Sequence, residues 1–211
     1  MLIPLDKLVS QRSLKWTVIV HVGANTGEEM DAYVAAGAKH ITWIEPRQTA
    51  INELKQKIET LGDTVDQQVF RYAVDVEPDQ LYMHIASNGA ASSCLKPALH
   101  LEEHPSIFFV GGEVVSAKPL DELLDESHFN QRTIDLLKVN VQGMELRVLK
   151  SAIKSMDRIQ SVYVEVNEKP LYFECVLFPE LDAFVQSHGF RLIEKEMTTH
   201  GSGAAFYTRG D

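Results

Sequence analysis

The chain has 211 residues, 45% apolar and 24% charged, and carries a formal charge of −10 from 20 basic and 30 acidic side chains. That length allows one domain with a substantial core, and the acidic balance argues against a surface that coats nucleic-acid phosphates, where lysine and arginine must displace counterions. Two cysteines far apart, Cys94 and Cys175, with no secretory-type start and no apolar run near the roughly 20 residues that cross a bilayer, lead us to expect a cytoplasmic protein without a membrane span.

Valine- and isoleucine-rich runs alternate with amphipathic stretches, the pattern of a parallel sheet covered by helices. Thr17 to Val22 reads as the first strand, followed by a helix from about Gly27 to Ala36 that Gly37 stops. His40 to Pro46 is the second strand, and Gln48 to Leu61 a helix with Ile51, Leu54, Ile58 and Leu61 on one face. Gln67 to Val74 is the third strand. The alternation then lapses into an irregular insertion over about residues 81–118, in which LYMHIAS alone looks like a strand. Regularity resumes with a short helix at Leu120 to Glu126 and a strand at Ile134 to Val141. A helix then opens at Gly143, with Leu146, Val148, Leu149 and Ile153 on its apolar side. Ser161 to Val166 is the fifth strand, Phe178 to Ser187 a helix, and FRLIEKEM with AAFYTR a closing antiparallel hairpin. The expectation is one doubly wound α/β domain over residues 1–211, with a seven-stranded sheet.

In such sheets ligands bind beyond the carboxyl ends of the strands, where strand order reverses. The first strand runs into His21-Val22-Gly23-Ala24-Asn25-Thr26-Gly27, and the second ends at Glu45-Pro46. Glu45 lies at the spacing where a carboxylate accepts the ribose hydroxyls of an adenosine bound over the first turn. A dinucleotide fingerprint would read GxGxxG, with a middle glycine that lets the backbone approach a pyrophosphate. Here Asn25 occupies that place, which suits S-adenosylmethionine, an adenosine without phosphate, better than a nicotinamide dinucleotide.

VGANTGE, WIEP, ASSCL, VYVEV with PLYFE, and above all IDLLKVNVQGMELRVLKSA resemble the FkbM-type methyltransferase family, from about Lys15 to Arg209. The resemblance implies the class I (Rossmann-like) S-adenosylmethionine-dependent fold and methyl transfer, usually to a hydroxyl oxygen of a small-molecule, sugar or lipid acceptor. Cofactor contacts are then expected from His21, Gly23, Ala24, Asn25, Thr26, Gly27, Glu45, Pro46, Ala73, Asn140, Val141 and Gln142. Two positions depart from the family pattern, which usually has aspartate at both: His21 and Asn140. A neutral histidine keeps one acceptor nitrogen for the cofactor's ammonium group and a protonated one none, so cofactor binding is expected to weaken at low pH. Asn140 keeps an acceptor oxygen but cannot act as a base.

An alcohol is a poor nucleophile until its proton is taken, so a base is sought at the same sheet edge. Glu165, His200 and Asn140 are the candidates around the reacting atoms, and Lys138 reads as a structural ion-pair partner. HLEEH, His100 to His104, matches H-x-x-E-H, yet Pro105 follows at once and no third ligand is evident. A solvated turn without metal is expected there. Asn88 to Ala117 is the expected region of acceptor recognition, with Phe108, Phe109 and Gly111-Gly112 as an apolar flap. The competing readings are a weakened or noncatalytic cofactor-binding protein, motivated by His21 and Asn140, and a nicotinamide-dependent oxidoreductase.

Overall fold

The computed structural model describes residues 2–12 and 14–210, with the side chains of Gln11, Arg12 and Asp63 left aside. After a first helix, Leu5–Arg12 (α1), the chain enters Val18–Val22 (β1), whose five residues are all buried. Met30–Ala35 (α2) leads to His40–Ile44 (β2), then Gln48–Leu61 (α3) to Asp66–Phe70 (β3). Ala73–Val74 (β4), Asp79–Ala86 (β5), His100–Glu103 (α4) and Phe109–Lys118 (β6) follow. Leu120–Asp125 (α5), Leu136–Val139 (β7), Glu145–Lys150 (α6), Ser161–Asn167 (β8), Phe178–Ser187 (α7), Phe190–Met197 (β9) and Ser202–Arg209 (β10) complete the order.

Seven strands form one sheet in the order β3-β2-β1-β7-β8-β10-β9. The first five are parallel, and β10 runs antiparallel to both β8 and β9. This is the doubly wound sheet that the sequence pattern predicted, and the class I methyltransferase architecture that the family resemblance implied. Parallel strands covered on both faces must be apolar on both, and the alternation of side chains sorts them. Val20, Val22, Leu137, Val139, Val162 and Val164 pack with Leu120, Leu149 and Leu181 of α5, α6 and α7. Ile19, Ile41, Trp43, Leu136 and Phe206 pack on the other face with Leu5, Leu8, Tyr33 and Leu54 of α1, α2 and α3.

Three expectations need correction. The third strand, read as one run from Gln67 to Val74, divides: β3 stays in the main sheet, while β4 crosses to a second, three-stranded sheet of order β4-β6-β5. The stretch read as irregular holds the ten-residue strand β6, antiparallel to β5 from Asp79↔Ala117 to Ala86↔Phe109. Ile153, assigned to the apolar side of a helix, lies past the end of α6 and is half exposed.

Candidate active site

Strand order reverses between β1 and β7, which leave the sheet in opposite directions of winding and open a crevice at their carboxyl ends. A cavity of about 250 Å³ lies there, running from Glu45, Pro46 and Arg47 after β2, past Gly23 and Asn25, to His21, Glu29 and Asn140. Gly23 is needed at its floor. Its φ of +79° is left-handed, and a Cβ there would come within 1.8 Å of the Asn140 carbonyl oxygen. Asn25, also left-handed at φ 46°, donates its backbone N–H to Glu45 Oε2 at 2.9 Å. Glu45 Oε1 accepts from the Arg47 backbone N–H at 3.0 Å and from Arg47 Nε at 3.1 Å, and the Arg47 guanidinium also reaches Asn25 Oδ1. Burial pushes the Glu45 carboxyl above its usual range, against the pull of Arg47. Three of the roughly four acceptor positions of this carboxylate are thus taken by the protein.

Of the residues expected at the cofactor, His21, Gly23, Asn25, Glu45, Pro46, Ala73, Asn140 and Val141 line this cavity. Ala24, Thr26, Gly27 and Gln142 do not. Ala24 is wholly buried in the core under α2, and Gly27 abuts Leu54 of α3. The Thr26 hydroxyl turns to Glu28, and the Gln142 side chain turns away to Glu165 and Tyr172. A further wall of the cavity is supplied by the inserted sheet and its loop: Met83, Gly89, Ala90, Ser92 and Cys94. The insertion therefore supplies one wall of the first cavity, and part of the segment expected to recognise the acceptor, Gly89 to Cys94, lies on that wall. Phe108 is exposed, Phe109 lies on β6 with its ring 5.7 Å from that of His100, and neither lines this cavity. Burial pushes the Cys94 thiol up to about 12, so it faces the cavity as an unreactive wall.

The motifs ASSCL, VQGME and PLYFE converge at the next turn. Ser93 Oγ donates to the Gln142 carbonyl at 2.7 Å, and the Tyr172 hydroxyl donates to the Ala91 carbonyl at 2.9 Å and to Gln142 Oε1 at 3.1 Å. Glu145 is fully buried and accepts the backbone N–H groups of Val141 and Gly143 at 3.0–3.1 Å. It is a clasp for the turn after β7.

A second cavity, about 340 Å³, opens beyond β7, β8 and β10 and is lined by Lys138, Tyr163, Glu165, Thr198, Ser202 and their neighbours. It shares Glu29 and Asn140 with the first. Register explains the convergence: His21 pairs with Lys138, Lys138 with Tyr163, and Glu165 with Ala204, which puts these side chains on one face of the sheet. Gln142 Nε2 donates to Glu165 Oε2 at 2.5 Å and to Asn140 Oδ1 at 2.8 Å. Although Glu165 keeps an opening to the cavity, its burial and the nearby Glu145 push its carboxyl up to about 8. Lys138 is buried and pairs with Glu29, the structural partner role read from the sequence.

His21 is 1% exposed, and burial with the neighbouring Lys138 lowers it to about 3. Its Nδ1 lies 3.2 Å from the Tyr33 hydroxyl, and Nε2 is buried without a hydrogen-bond partner among the described residues. Held at about 3, the ring stays neutral over the ordinary range, which speaks against the expected low-pH weakening of cofactor binding through His21. His200 lines neither cavity. Its ring lies against that of His104, tilted by 46° with centroids 4.7 Å apart, and Nδ1 lies 3.4 Å from Glu103 Oε2. HLEEH forms the short α4, with His100 buried against Tyr172, and not a solvated turn. Among the described residues no group of three or more His, Cys, Asp or Glu is placed to hold a metal. Glu29, Arg47 and Met144 line the first cavity without having been singled out from the sequence. Arg47 follows Glu45-Pro46 directly, and that proximity was the one available signal.

A profile of the methyltransferase FkbM domain matches residues 21–192. The chain belongs to the FkbM methyltransferase family. It is 24% identical over 164 residues to the 2-O-methyltransferase NoeI of Sinorhizobium fredii (strain NBRC 101917 / NGR234), covering 74% of this chain and 65% of that protein's length. Magnesium protoporphyrin IX methyltransferase (ChlM) from Synechocystis PCC 6803, solved with bound S-adenosylmethionine, superposes with a TM-score of 0.57 at 10% identity, over 98% of this chain and 76% of that one. A Pyrococcus horikoshii protein proposed to be an RNA methyltransferase gives 0.53 at 14% identity, over 97% and 80%. At such identities the likeness carries the fold alone. Membership of the FkbM family sets the oxidoreductase reading aside.

Proposed function

We propose that this FkbM-family chain uses S-adenosylmethionine to methylate a hydroxyl oxygen of a small-molecule, sugar or lipid acceptor. The observation that carries this reading is the pair of adjoining cavities at the strand ends, which meet at Asn140 and Glu29 and have a carboxyl group, Glu165, on the wall of the second. The first cavity suits the cofactor: Gly23 lets the turns after β1 and β7 close together at its floor, and Glu45 offers one remaining acceptor position toward a ribose. When bound, the cofactor supplies an electrophilic methyl group. The likeness to a solved S-adenosylmethionine complex and to a 2-O-methyltransferase supports the same assignment.

What the chain contributes is alignment and proton handling. The second cavity seats the acceptor so that its hydroxyl faces Asn140. Glu165, oriented by Gln142, takes the hydroxyl proton on the oxygen that Gln142 does not hold. With its carboxyl at about 8, it is mostly protonated at neutral pH, so the rate should rise with pH up to about 8 and then level. Binding of S-adenosylhomocysteine by calorimetry, with transfer of a labelled methyl group to an alcohol library, tests the reading. Glu165→Gln should bind the cofactor product as wild type does, yet transfer at least ~100-fold more slowly. Transfer by the variant at the wild-type rate would remove Glu165 from this role. Binding without transfer to any alcohol by wild type would favour the noncatalytic reading.

A further inference from the structure

The two cavities meet at a carboxylate that no family motif accounts for. Glu29 precedes α2 and lines both of them. One of its oxygens is held by the Lys138 ammonium, and the other lies 3.9 Å from His21 Nδ1, beyond hydrogen-bonding range. Burial opposes its charge, but His21 and Lys138 prevail and hold it at about 2, so it is anionic throughout the working range.

We infer that the Glu29 carboxylate receives the α-ammonium group of the sulfonium cofactor, in place of the acid that the family usually carries on the strand at position 21. The inference rests on the S-adenosylmethionine reading above. If the ribose lies beside Glu45 at the end of β2, the amino-acid moiety falls at the β1–β7 end of the cavity, because β1 separates β2 from β7 in the sheet. Three carboxylates face the cavity, Glu28, Glu29 and Glu45. Glu45 stands at the wrong end. Glu28 is exposed and already accepts from Asn25 Nδ2 at 2.6 Å and from the Thr26 hydroxyl at 3.0 Å. His21 is neutral and turns Nδ1 to Tyr33. Glu29 remains. Among the described lining residues at this end, the carboxylates of Glu28 and Glu29 meet one ammonium, that of Lys138 in the adjoining cavity, a formal excess of one negative charge that a primary ammonium would balance.

The test is a cycle between one carboxylate and one amine. Calorimetry measures S-adenosylhomocysteine and its deamino analogue against wild type and Glu29→Gln. Wild type should prefer the amine-bearing ligand by about 10- to 100-fold, as a charge-assisted hydrogen bond gives. Glu29→Gln should lose that preference while binding the deamino analogue as wild type does. A preference that survives in the variant overturns the inference, and so does an equal loss for both ligands, which would mark a purely structural role. Failure of wild type to bind either ligand would instead sink the cofactor reading itself. Should Glu29→Gln not fold because it strands a buried lysine, the pair Glu29→Gln with Lys138→Met removes both charges and carries the same readout.

Discussion

A buried histidine on a strand end is a stability device as well as a wall of the cavity. His21 sits at about 3 in the folded chain, against an ordinary value of 6.5. Between those limits the unfolded chain binds the proton and the folded chain does not. The stability from the neutral ring is therefore fully present above pH 6.5 and drains away as pH falls toward 3, at up to about 1.4 kcal/mol per pH unit. Urea unfolding at pH 7, 6 and 5 should show His21→Asn gaining on wild type with each step down. A constant difference between the two would mean that the ring titrates normally. Gly23, Asn25 and Glu45 could be found from sequence because parallel strands deliver the residues at their ends to one edge. Glu29 could not, since its place depends on a lysine more than a hundred residues away that only the β1–β7 pairing brings beside His21.

The turn after β7 behaves as a unit, since Ser93, Tyr172 and Glu145 all hold its backbone or its Gln142 side chain. Glu145 also bears on the candidate base: after burial, its charge is what raises Glu165. Glu145→Gln should leave the first cavity intact and shift the rising limb of the pH–rate profile to lower pH. Glu145→Ala should cost about 1–3 kcal/mol in urea unfolding, because two buried backbone N–H groups lose their acceptor. An unmoved pH limb in the glutamine variant would separate the turn from the base. The main-sheet strands were legible because both their faces are buried and their apolar runs are continuous. Strand β6 was not. Val110 and Val114 point to solvent, Val115 and Ala117 point inward, and two glycines interrupt the run, so neither a period of two nor a solid apolar block survives.

At the scale of the molecule, the inserted three-stranded sheet turns an open crevice into a cavity with two sides. Its reach over the sheet edge depends on one close approach: Gly89, at φ +71°, passes the Arg47 guanidinium, and a Cβ there would lie 2.9 Å from Nη1. Arg47 ties Glu45 to Asn25, so the insertion presses on the network that shapes the Glu45 end of the cavity. Gly89→Ala must either strain its own left-handed backbone or push the guanidinium aside. The segment sits on the rim and outside both main cores, so the thermal midpoint should fall by only a few degrees, the equivalent of about 1 kcal/mol. Affinity for S-adenosylhomocysteine should fall further, by about tenfold, because a displaced Arg47 releases Glu45 and Asn25 together. Arg47→Ala gives the matching arm: it opens the space that the new methyl group needs, so adding Gly89→Ala to it should cost little more affinity. If the two losses simply add in calorimetry, the insertion acts on the cavity by some route other than Arg47.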